Sequence, residues 1–134
     1  MKVAICYYST KKKELDEIAK GIERGISEQG HQTMLVNMLT NESKLSMNKY
    51  FVIGCNTVSL FRGKLPKGFV NKLENMGSIG GKHCMAFVNK KMGKASTLLN
   101  LMNTIEKQGL FVDYSEILAN YKDGYLLGKK LHIH

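Results

Sequence analysis

At 134 residues the chain is one domain's worth, and 43% hydrophobic with 23% charged residues excludes a disordered composition. Twenty Lys and Arg against eleven Asp and Glu leave +9, which points to anions as ligands or partners: phosphates, nucleic acid or an acidic protein. No apolar run approaches the roughly 18 residues of a membrane span, and the N-terminus turns polar too soon for a signal peptide, so the expectation is a cytoplasmic protein with no membrane attachment.

The first apolar run, Val3 to Tyr8, is short, unbroken and rich in strand formers, as a strand buried on both faces should be. After Ser9, Thr10 and three lysines, Leu15, Ile18, Ala19, Ile22 and Ile26 recur at helical spacing, predicting a helix that ends near Gly30. Thr33 to Leu39 and Tyr50 to Cys55 read as the second and third strands. Thr40 to Lys49 between them leaves room for only a short crossover helix.

A polar segment, Asn56 to Lys64, follows, and Pro66 is expected at a first helical position ahead of the stripe Phe69, Val70, Leu73 and Met76. The glycines at 77, 80 and 81 turn the chain into a fourth strand, His83 to Val88. Leu98, Leu101, Met102 and Ile105 predict a helix stopping at Gly109. A fifth strand, Phe111 to Leu118, and a last short helix, Lys122 to Leu131, complete the series. This alternation predicts one α/β domain over 1–134, a doubly wound five-stranded parallel sheet with helices on both faces. Ligands of such sheets bind beyond the carboxyl ends of the strands, so the loops after Tyr8, Cys55 and Val88 are the ones to inspect.

Several chemistries are excluded by what the motifs lack. There is no GxGxxG after the first strand, and Gly80-Gly81-Lys82 is followed by His83 and leads into a strand, so neither a dinucleotide site nor a nucleoside-triphosphate loop is present. The strand ends Tyr7-Tyr8-Ser9 and Gly54-Cys55-Asn56 lack the acidic residues of a phosphorelay receiver. Six residues separate Cys55 from Arg62, where the anion loop of cysteine phosphatases has five. His132 and His134 form a His-x-His pair at a terminus expected to fray, and no metal site is expected. Cys6, Cys55 and Cys84 have no CxxC spacing and lie in apolar stretches, reading as buried reduced thiols.

Three segments carry a family likeness: Val3-Ala4-Ile5-Cys6-Tyr7-Tyr8-Ser9-Thr10, then Tyr50-Phe51-Val52-Ile53-Gly54-Cys55-Asn56-Thr57, then Gly81-Lys82-His83-Cys84-Met85-Ala86-Phe87-Val88-Asn89. Together they resemble the flavodoxin family, in which an apolar strand ends in a Ser/Thr-rich loop around the phosphate of FMN. The resemblance implies FMN as cofactor, electron transfer or a small flavin-reductase module as function, and a redox partner protein. The phosphate is expected at Ser9, Thr10, Lys11, Lys12 and Lys13. The isoalloxazine is expected between Asn56, Thr57, Val58 and Phe61 on one side and Asn89 and Lys90 on the other.

The departures from the family are specific. Ser9-Thr10-Lys11-Lys12-Lys13-Glu14 has hydroxyls at its start but neither the glycine nor the second threonine of the family's loop. Asn56 stands where proline is usual, Val58 where an aromatic often stacks on the flavin, and Phe61 is the only aromatic left in the three loops. Lysines at the start of a helix are unfavourable against its macrodipole unless an anion is held there, which leaves two readings: charge serving where the family uses a glycine nest, or a solvated basic turn whose lysines point outward. The alternative is a flavodoxin-fold protein without flavin that binds another anion or an acidic protein. The other lysines are scattered without arginine–aromatic interleaving, which argues against nucleic acid. No separate catalytic acid or base is expected, and an enzyme role would be at most that of an FMN-dependent oxidoreductase.

Overall fold

The computed structural model describes residues 1–11, 13–40, 45–59 and 62–133. Its elements run β1 (Lys2–Tyr8), α1 (Asp16–Glu28), β2 (Gln32–Asn37), β3 (Tyr50–Cys55), α2 (Phe69–Glu74), β4 (His83–Asn89), α3 (Lys94–Lys107), β5 (Phe111–Leu118) and α4 (Tyr121–Lys130). The strands form one parallel sheet in the order β2-β1-β3-β4-β5, the doubly wound architecture that the alternation predicts.

Alternate residues of the central strands feed two cores, because side chains of a strand point to opposite faces. Ala4, Cys6, Phe51, Ile53, Cys84 and Ala86 pack with α2 (Phe69, Leu73) and α3 (Leu101, Ile105). Val3, Ile5, Tyr50, Val52, Met85 and Phe87 pack with α1 (Ile18, Ile22, Ile26) and with Leu127 of α4. Burial on both faces explains why β1, β3 and β4 read as continuous apolar runs rather than alternating ones. The strand β2 lies at an edge, and Met34 on it is 41% exposed.

Helices α1 and α4 approach through four glycines. A Cβ added to Gly21 or Gly25 would lie 2.3 or 2.4 Å from the carbonyl oxygen of Tyr121 or Tyr125, and one on Gly124 or Gly128 would lie 2.4 Å from that of Ile18 or Ile22. Backbone meets backbone across this seam, and nothing larger than hydrogen fits between.

Two local expectations are corrected. Pro66 does not open α2: its carbonyl accepts from the Phe69 N–H at 3.1 Å, and Gly68, at φ 89°, breaks helical geometry between them. Val70 is not part of the buried stripe but 41% exposed, so α2 presents Phe69 and Leu73, with Met76 beyond its end. In the segment Thr40 to Lys49, which leaves room for only a short crossover helix, residues 41–44 lie outside the described residues, and the others form turns and bends rather than a helix.

Candidate functional site

Parallel register brings the three loops to one level. Tyr8 at the end of β1 pairs with Cys55 at the end of β3, and Cys55 pairs with Val88 of β4. The chain leaves β1 for β2 on one side and returns to β3 on the other, so the crevice between β1 and β3 is the topological switch point. A cleft of about 660 Å³ opens there, lined by Thr10 and Lys11 from the first loop, Thr57, Val58 and Ser59 from the second, and Lys91 and Met92 from the third.

The walls are held by two buried asparagines. Asn56, fully buried, accepts from the Thr10 N–H at 3.3 Å and donates through Nδ2 to Thr10 Oγ1 at 3.2 Å and Glu14 Oε2 at 3.3 Å. Asn89 accepts from the Thr57 N–H at 2.7 Å, and its carbonyl accepts from Thr57 Oγ1 at 3.2 Å. Its Nδ2 donates to Glu14 Oε1 at 2.6 Å. Polar groups taken from water must find partners, and these two amides find theirs in the neighbouring loops, fixing all three together.

Glu14 is therefore the common acceptor of the site. Lys91 Nζ reaches the same Oε1 at 2.5 Å, and this hydrogen bond raises the Lys91 ammonium above the ordinary lysine range. Neither residue is among those the sequence marks for the site. The pairing of Glu14 with Lys91 spans 77 positions, from 14 to 91, and only the fold brings the two together.

The remaining sequence-derived residues fall into three groups. Ser9 closes on its own loop, donating to the Lys11 carbonyl at 2.7 Å and accepting from the Lys11 N–H at 3.2 Å. Lys11 and Lys13 are exposed and, with Ser9 and Thr10, also line a second hollow of about 390 Å³ on the β2 side. In that hollow, burial and then the Asp16 carboxylate raise the Tyr7 phenol above its ordinary range. Lys90 is exposed, and its N–H donates to the Leu118 carbonyl at 2.9 Å. Lys12 and Phe61 lie outside the described residues.

The lysines also precede the helix rather than begin it. Helix α1 starts at Asp16, with Asp16 and Glu17 in its first turn, so its positive end already faces carboxylates. Lys13 takes the left-handed conformation at φ 63°, in the stretch where a glycine would be at ease.

A parallel sheet in this order, with a three-loop crevice at the switch point, defines a flavodoxin-like α/β fold. No family model and no curated protein matches the chain. Solved structures do. Oxidised flavodoxin 2 from Bacillus cereus superposes with a TM-score of 0.73 at 17% identity, over 96% of this chain and 95% of that one. A flavodoxin from the domain Archaea gives 0.71 at 18% identity, covering 98% and 96%. The flavodiiron protein of Giardia intestinalis gives 0.59 at 15% identity, with 96% of this chain on 35% of that one. The chain thus has the flavodoxin-like fold over nearly its whole length.

Proposed function

We propose that this domain binds a flavin, FMN in the pattern of the fold's namesakes, in the switch-point cleft and passes electrons to a partner protein. The cleft carries the reading: its volume of about 660 Å³ suits a cofactor ring system, for which pockets of roughly 300–1,000 Å³ are usual, and all three loops contribute to it. When bound, a flavin supplies one- and two-electron transfer, chemistry that the side chains here do not provide.

The chain's own residues supply position and charge. Val58, 45% exposed, and Met92, 69% exposed, offer apolar surface on the second and third loops, where a planar ring can pack. Lys91, on the cleft wall, stabilises negative charge on a ring in contact with it. Asn56 and Asn89 keep the loops at a fixed separation, so a ligand meets a preformed site. No helix of the described residues is long and apolar enough to cross a membrane. With +9 on the chain, electron exchange is expected with an acidic protein, steered by charge.

The deciding experiment is to purify the protein, record its visible spectrum for flavin, and titrate the apo form with FMN and with riboflavin. A yellow protein, or saturable binding at micromolar flavin, is expected. No binding of either flavin would refute this function and leave the flavin-free, anion-binding alternative.

A further inference from the structure

A phosphate in the first loop needs free donors, and three of the loop's backbone N–H groups, those of Thr10, Lys11 and Glu14, are taken. The Thr10 N–H goes to Asn56, the Lys11 N–H to Ser9 Oγ, and the Glu14 N–H to the Lys11 carbonyl. The side-chain donors that converge from the other two loops are taken as well. Asn56 Nδ2, Asn89 Nδ2 and Lys91 Nζ all meet the carboxylate of Glu14, whose side chain is only 12% exposed. Two amides and an ammonium on one anion form the kind of donor set that holds a phosphate group. Here a residue of the chain fills it.

We infer that Glu14 is an internal anion seated where an external phosphate would bind, so that this site reads a flavin by its ring and not by its phosphate. A carboxylate this far from water is costly unless charge and hydrogen bonds compensate it, and three donors from two other loops do so. The exposed ammoniums of Lys11 and Lys13 remain, but solvated cations contribute little selectivity without fixed geometry. The ligand class follows from the flavin reading above; the filled seat itself does not depend on it.

The first test therefore uses inorganic phosphate alone. At about 50 mM phosphate, compared with chloride at equal ionic strength, Glu14→Ala, which empties the seat, is expected to gain roughly 3 °C in Tm, and the wild type none. Adding Lys91→Ala to Glu14→Ala should abolish the gain. Glu14→Thr, which is also smaller and uncharged, should respond like Glu14→Ala and serves if the alanine variant does not fold. An equal response in wild type and variants, or none in either variant, would overturn the inference.

The second test compares ligands. Wild type should bind riboflavin and FMN within about threefold of each other, whereas Glu14→Ala should prefer FMN by about tenfold or more. A wild-type preference for FMN of that size, unchanged in the variant, would overturn the inference. If neither flavin binds either protein, the proposed function fails, while the phosphate measurement still decides whether Glu14 fills an anion seat.

Discussion

Replacing Gly25 by alanine separates two effects that usually act together. In an ordinary helix interior the change favours the folded state, since alanine is better than glycine by about 0.8–1 kcal/mol. Here the new methyl would stand 2.4 Å from the Tyr125 carbonyl oxygen, 2.6 Å from the Lys129 nitrogen and 2.7 Å from the Gly128 carbonyl carbon. All three are backbone atoms, so no rotamer change relieves them. Helix α4 must move away by about 1 Å, and a gap of that size forfeits between a quarter and half of each dispersion contact along the seam. Overpacking costs about 1–3 kcal/mol, and three backbone atoms met at once put this site in the upper part of that range, so after the propensity gain we expect a net loss of about 1–2 kcal/mol. Urea unfolding followed by circular dichroism should show the midpoint falling with an unchanged slope. In the double variant Gly25→Ala, Gly128→Ala the losses should not add, because one displacement accommodates both methyls. A Gly25→Ala protein as stable as wild type, or more so, would refute the backbone-contact reasoning.

Tyr50 is fully buried and its hydroxyl is the one described side-chain polar atom of the core without a hydrogen-bond partner, so Tyr50→Phe should stabilise the fold by about 0.5–1 kcal/mol in the same assay. Burial raises the thiols of Cys55 and Cys84 to about 12, against 9.0 for a free thiol. The unfolded chain then ionises first, so this contribution to stability is intact below pH 9 and is lost progressively as pH rises toward 12; the urea midpoint should fall over that window. In the native protein near neutral pH, Cys6, Cys55 and Cys84 should resist a thiol reagent that labels all three in denaturant, and rapid native labelling would contradict their burial. Electron exchange with an acidic partner should slow as ionic strength rises from 0.01 to 1 M, where the Debye length falls from about 30 to 3 Å; a salt-independent rate would show that the +9 surface does not steer.

Much of the framework was readable in one dimension because its signals are local. Tyr50 to Cys55 and Phe111 to Leu118 are strands with the bounds their apolar and β-branched composition predicts, and the stripe Ile18, Ile22 and Ile26 marks the buried face of α1. Pro66 misled because a proline can begin a helix, yet Gly68 downstream takes a left-handed conformation that resets the start to Phe69. The glycines of α1 and α4 gave no sequence signal beyond their spacing, since a close approach is a property of two helices and not of either one.

The amino-acid sequence by itself determined the α/β class, the element order, the buried cysteines and which three loops to inspect, because periodicity and turn chemistry act over a few residues. Tertiary structure alone decided what those loops do to one another. The sequence placed Asn56 and Asn89 against a ligand; instead parallel register sets the ends of β1, β3 and β4 level, and their amides meet across the crevice at Glu14. Lys11 and Lys13, of the lysine cluster that stands out in the sequence, stay in solvent, while Lys91, 77 positions from Glu14, supplies the cation that counts. Which charge pairs with which is set by distance in space and by exclusion of water, and neither is written in spacing along the chain.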